Sequence, residues 1–264
     1  MNEPHISLPM YDWPELQCHT DQFHALLKAS LGDRGFNASN RLERDRENFD
    51  IWQDKHLLMS QTCGLPFVKF LKEKVSLIGT PAYDIECGAG SYYSVIVVHK
   101  DASASSMDDL KGKKYAYNEN TSQSGYYALQ YTLSLMENAA THFGASCKSG
   151  SHRQSIQAVA SGKADFAAID AISWKHATRH EAESRHLRVI GKTPPTPGLP
   201  YITRPRSANE CDTLHMAVID AMMALNETTR DALLLTGFAK TNLIDYRVIE
   251  ERMQCVQQEF GPMS

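Results

Sequence analysis

An α/β fold, with a largely parallel sheet and a second lobe inserted into the first, is what this sequence predicts. Three observations lead there. Apolar runs of strand length alternate with helical patterns along nearly the whole chain. With 264 residues and 42% hydrophobic content, the chain can build one large core or two of ordinary size. Two polar or proline-rich stretches, near 98–106 and 191–203, bracket a middle block, as an insertion reached through a two-strand hinge would require.

In chain order, "HISLPMY" (5–11) reads as the first strand. "PELQCHTDQFHALLKASLGDRG" follows with Leu16, Phe23, Leu26, Leu27 and Leu31 near helical spacing; Pro14 suits a first turn and Gly32 or Gly35 a stop. "HLLMS" (56–60) is a short strand, "QTCG" a turn, and "LPFVKFLKEK" a helix starting near Pro66. "VSLIGTP" (75–81) and "SYYSVIVVHK" (91–100) are two more strands, and 101–106 reads as a linker. "SMDDLKGKK" is one helical turn leading into a strand at 114–118; after Ser124, Tyr126, Leu129, Leu133 and Met136 mark one stripe of a helix. Residues 149–170 form a loop–helix–strand unit in which Ile156, Val159 and Ala160 face inward, Gly162 stops the helix and "FAAID" is a buried strand. "HLRVIGKT" (186–193) is a strand, and "PPTPGLPYITRP" (194–205) an extended connector. "TLHMAVIDAMMALNE", "TTRDALLLTGF" and the tail through Phe260 read as helices.

Composition narrows the function. The net charge is -4, charged residues make up 22%, and no run of lysine or arginine resembles a nucleic-acid footprint. No apolar run reaches the roughly 18 residues that a membrane-spanning helix needs. The N-terminus has neither a basic n-region nor an apolar h-region. The expectation is a cytoplasmic chain if Met1 is the native start, or an exported one whose signal lies outside this sequence. The six cysteines (18, 63, 87, 147, 211 and 255) show no CxxC and no zinc spacing, so no metal or cofactor is expected. Six plain thiols are the simpler expectation; a single bridge, Cys63 to Cys87, would suit an exported protein.

Candidate chemistry gathers at two helix starts. In "NENTSQSGYYALQYTL" (118–133), Ser122 and Ser124 flank Gln123, and Gly125 follows. A helix N-terminus leaves backbone N–H groups unpaired and carries about half a positive charge, so it suits a phosphate-like anion if the backbone can be approached. Gly125 removes an obstructing side chain; Ser122 and Ser124 add hydroxyls, and Thr121 or Gln123 could add further donors. The alternative is that Ser122 or Ser124 simply caps the helix. "SGSHRQS" (149–155) is a second helix start of the same kind in the same block, with His152 as a further donor whose protonation an anion would favour; a capping Ser151 or Ser155 with an exposed His152 is its plain reading. Asp170 ends a strand, where α/β sheets bind ligands, and is either a ligand acceptor or a cap for "AISWKHATRH".

"SLPMYDWPE", "SQTCG", "YYSVIVV", "DLKGKKYAYNENTSQSG", "SGSHRQSIQAVASGKADFAAID" and "TPGLPYIT" together resemble the phosphate/phosphonate (PhnD-like) substrate-binding proteins of ABC transporters. The resemblance runs from about residue 6 to 260; its most specific parts are the SxSG helix start and the GSH…AVxxGxADxAxID block. It implies a two-lobed type 2 periplasmic-binding-protein fold with a two-strand hinge and a cleft between lobes. Lobe 1 would take residues 1–98 and 194–264, lobe 2 residues 99–193. By resemblance, Ser122, Gln123, Ser124, Gly125 and the N–H of Tyr126 hold a small oxyanion (phosphate, phosphite or a phosphonate), His152 adds a bond, and Asp170 faces the rest of the ligand. Tyr11, Gln61, Thr62, Tyr83 and Tyr93 would close over it from lobe 1. The resemblance further implies a monomeric, periplasmic, non-catalytic binding protein with an ABC permease as partner. A cytosolic ligand sensor, and a biosynthetic enzyme using Cys63 and His152 as nucleophile and base, are the competing classes.

Overall fold

The computed structural model describes residues 3–136 and 144–260. The chain first forms β1 (His5–Ser7), α1 (Gln17–Gly32), α2 (Asn48–Trp52), β2 (Leu57–Gln61), α3 (Gly64–Pro66) running into a π-helical turn at Phe67–Leu71, and β3 (Ser76–Tyr83). Next come β4 (Ser91–Tyr92), β5 (Ser94–His99), a 3-10 turn at Asp108–Leu110, β6 (Tyr115–Tyr117) and a π-helical turn at Gln123–Tyr127 that continues as α4 (Ala128–Ser134). Then follow β7 (Ser146–Lys148), α5 (His152–Ala160), β8 (Phe166–Asp170), α6 (Ala171–His180), a 3-10 turn at Ala182–His186 and β9 (Leu187–Lys192). The chain closes with β10 (Thr196–Pro197), β11 (Tyr201–Thr203), α7 (Ala208–Met223), α8 (Glu227–Ala232), β12 (Leu235–Ala239) and α9 (Arg247–Phe260).

Two compact units result: Met1–Ser91 with Pro197–Arg247, and Tyr92–Thr196 with Val248–Ser264. The chain therefore passes between them after Ser91, Thr196 and Arg247, against expected boundaries at 98/99 and 193/194. The last segment groups with the second unit rather than the first: α9 buries Val256, and Arg252 lies 4.9 Å over the Tyr131 ring and donates to the Pro194 carbonyl at 3.0 Å.

In the first unit a five-stranded sheet has the order β1-β2-β11-β3-β12. β1 and β2 are parallel, while β11 runs antiparallel between β2 and β3, and β12 antiparallel to β3. The expected largely parallel sheet is thus a mixed one. The cause is where the chain returns. The Pro200 carbonyl accepts from Thr62 N–H at 3.0 Å, so β11 starts beside the end of β2 and must run back down it. α1 and α7 pack together, burying Leu27, Leu31, Leu214 and Val218 with Ile6, Met59 and Ile78 of the sheet. A capping box starts α7: Ser207 Oγ accepts from Glu210 N–H while the Glu210 carboxylate accepts from Ser207 N–H.

Two sequence expectations fail here for local reasons. The 194–205 connector contains β11, a central strand, because Pro200 and Pro205 flank Tyr201–Thr203 and leave those N–H groups to the ladder. "TTRDALLLTGF" is a helix only to Ala232; Leu234 takes a left-handed φ of 56°, the chain reverses, and Leu235–Ala239 becomes β12. Leucine-rich sequence suits either outcome.

The second unit holds a sheet of order β7-β6-β8-β5-β9, with β7, β6 and β8 parallel and β5 antiparallel to both β8 and β9. Its core joins Ile96, Leu110, Leu129, Leu133, Phe166 and Ala168. No helix among the described residues is long and apolar enough to cross a membrane. The six cysteines stand as thiols, Cys63 and Cys87 included.

Candidate functional site

The second unit brings both helix starts to one place. β6 has β7 and β8 as parallel neighbours, and the segments that follow β6 and precede α5 lie side by side. Ser149 N–H donates to the Tyr117 carbonyl at 2.7 Å and Gly150 N–H to the Asn118 carbonyl at 3.0 Å. Gly150 has φ of 101°, a conformation L side chains avoid, so the tight approach to α5 depends on glycine there. Ser149 Oγ is 2.6 Å from Ser155 Oγ, and Ser151 Oγ accepts from Gln154 N–H at 3.1 Å to cap α5.

At the other helix start Ser122 is the cap, its Oγ accepting from Gly125 N–H at 3.0 Å. Ser122, Gln123 and Ser124 are all buried, and Gly125 with them. Ser124 Oγ lies 2.9 Å from His152 Nε2, which joins one helix start to the other. Asn118, a residue that no sequence motif singles out, sits 3.5 Å from the same nitrogen through Nδ2. Among the described residues, His152 Nδ1 and Asn118 Oδ1 are buried with no hydrogen-bond partner. Burial pushes the His152 imidazole down to about 4, so the ring is neutral at pH 7. The residue is half-buried, and not the exposed side chain of the plain reading. Tyr126 turns its ring away into a tyrosine cluster, 4.8 Å from Tyr117 and 5.4 Å from Tyr127, and burial pushes its hydroxyl up to about 12.

Asp170 is buried at the end of β8, and its Oδ1 accepts from Ser173 N–H at 2.8 Å, capping α6. Strand register pairs it with Ser94, whose Oγ donates to the Ser124 carbonyl at 2.9 Å. Ser94 lies inside an apolar strand pattern that gave no sign of a site, yet it ties the Asp170 strand end to the first helix start.

In the first unit, Tyr11, Gln61 and Tyr83 meet at the C-terminal ends of β1, β2 and β3. The Tyr11 and Tyr83 rings are edge-on, 5.2 Å apart and 75° inclined. Gln61 Nε2 donates to Tyr83 Oη at 3.0 Å and to the Leu199 carbonyl at 3.3 Å. Thr62 is wholly buried and its hydroxyl donates to the Cys63 carbonyl at 3.3 Å. Tyr93 does not join this group. It lies in the second unit between β4 and β5, with Lys192 Nζ 4.8 Å from its ring centre.

Comparison with known proteins places the chain in a family. A family model for the phosphonate ABC transporter periplasmic substrate-binding protein matches residues 54–247. The chain belongs to the phosphonate-binding family of periplasmic substrate-binding proteins. Members of this family bind small ligands and work with an ABC transporter; the family is one of binding proteins rather than enzymes. No curated protein matches the chain significantly. Among solved structures it is similar to PhnD1 from Prochlorococcus marinus in complex with methylphosphonate, at 19% identity and a TM-score of 0.73, covering 97% of this chain and 100% of that one. A binding-protein component of an ABC phosphonate transporter from Pseudomonas aeruginosa gives 17% identity and a TM-score of 0.71, covering 98% and 88%. A Xanthomonas citri protein bound to ATP gives 15% identity, a TM-score of 0.68 and 98% coverage of both chains. At these identities the similarity establishes the fold: two-lobed, of the type 2 periplasmic-binding class.

Proposed function

We propose that this family member binds a small phosphorus oxyanion, a phosphonate, phosphite or phosphate, outside the cytoplasm and delivers it without chemical change to an ABC permease. The observation that carries this reading is the 2.9 Å Ser124–His152 contact, which makes one polar corner out of two separate helix starts. A hydroxyl, an imidazole and the peptide groups of two helix starts form a donor set suited to a compact anion. Ser122, Gln123, Ser124, Gly125, Tyr126, His152 and Asp170 on the second unit, and Tyr11, Gln61, Thr62 and Tyr83 on the first, are the proposed contact residues. Tyr93, which lies in the second unit, is proposed with that unit's residues. Four to six charge-assisted hydrogen bonds at ~1.5–3 kcal/mol each sum to roughly 6–18 kcal/mol gross, against an association cost on the order of 4–15 kcal/mol. The favourable part of that range reaches the about 8 kcal/mol net that micromolar binding needs.

Titration calorimetry with methylphosphonate, aminoethylphosphonate, phosphite and phosphate tests the reading. Micromolar heat-producing binding of at least one is expected. Silence across all four at millimolar concentration removes an oxyanion from consideration.

A further inference from the structure

We propose that Asn118 is the positioning residue of this corner, and that Gly125 is a glycine to make room for it. The inference rests on the proposed function only in calling the Ser124–His152 pair ligand-binding; the contacts themselves are internal to the protein. A Cβ built on Gly125 would lie 2.1 Å from Asn118 Oδ1, 2.7 Å from its Cγ and 3.1 Å from His152 Cε1. The notch left by the missing side chain is therefore filled by a side-chain amide. That amide also lies 3.5 Å from His152 Nε2, the nitrogen that Ser124 Oγ meets at 2.9 Å. Through its carbonyl the same residue holds Gly150 N–H, at the approach to α5. Asn118 thus touches both helix starts, by side chain at one and backbone at the other. Its NH2, 3.5 Å away, donates and so favours the imidazole tautomer with an unprotonated Nε2; the proton then sits on Nδ1, a buried atom for which the described residues supply no acceptor and which a ligand can engage. In that state the Ser124 hydroxyl donates to His152, and an arriving anion must reorient it.

Nitrogen-15 NMR of the His152 ring in the ligand-free protein reads this directly. Wild type should show one tautomer, with Nδ1 protonated. Asn118→Ala should give a mixture of both tautomers. Gly125→Ala, by expelling the amide, should give the same mixture, and the double variant should add nothing further. Methylphosphonate affinity should fall about fivefold in Asn118→Ala, equivalent to losing one hydrogen bond of ~1 kcal/mol. An unchanged tautomer in Asn118→Ala, or Gly125→Ala and Asn118→Ala effects that simply add, would overturn the assignment. If wild type binds none of the four oxyanions, the proposed function falls while the ring measurement still decides the role of Asn118.

Discussion

Acidification should unfold this protein through histidines that its interior keeps neutral, and His152 permits a quantitative test. Its folded-state value is about 4, against 6.5 for an ordinary histidine. The folded state therefore takes up its proton only well below the pH at which the unfolded chain does. Above pH 6.5 both states are neutral and the stability is complete. As pH falls from 6.5 towards 4 the unfolded chain binds protons that the folded one refuses, and stability drains away by about 1.4 kcal/mol per pH unit for this one group. Over the whole interval from 6.5 to about 4 the loss amounts to ~3 kcal/mol. His176, wholly buried and also lowered to about 4, adds a loss of similar size over the same range. Together they approach the ~5–15 kcal/mol that holds a typical domain folded. Urea unfolding at half-unit steps from pH 7.5 to 4.5 measures the slope, and His152→Gln should make it shallower by one proton's worth. An identical slope in that variant, or a His152 ring titrating near 6.5 by NMR, would refute burial as the cause. A bound anion should raise the His152 value, so affinity should tighten on acidification by at most tenfold per unit, and His152→Gln should lose that component.

Other outcomes follow from the same contacts. Ser124→Ala should weaken oxyanion binding about five- to twentyfold in calorimetry, because a hydroxyl at the centre of the corner is removed. Asp170→Asn should leave the melting temperature nearly unchanged, since asparagine caps a helix as well as aspartate does; a large change in affinity or ligand preference would then mark a direct ligand contact. Tyr246→Phe should lower stability by about 1–3 kcal/mol in urea unfolding, because it strands buried partners: Tyr246 Oη donates to the Gly198 carbonyl at 3.0 Å and lies 2.7 Å from Thr80 Oγ1. Gly125→Val should disturb the ligand-free protein as well as binding. A side chain there would run into Asn118, which fills that space.

The sequence by itself determined the elements with strong local signals. Serine caps and glycine stops marked α5, and continuous apolar runs marked β2, β5 and β8, because capping and burial act over a few residues. It also marked the two helix starts as chemically alike, since small hydroxyl residues before a helix need no tertiary context to be noticed. Only the tertiary structure decided what depends on contacts between distant segments. The direction of β11 comes from its meeting with Thr62, the grouping of α9 from Tyr131 and Pro194, and the unit that holds Tyr93 from where the chain crosses. Asn118 illustrates the limit most plainly. Nothing in "KYAYNEN" distinguishes it, and its role arises because residues 7 and 34 positions later are folded against it. Pairing energies of that kind have no sequence period, so only the assembled chain reveals them.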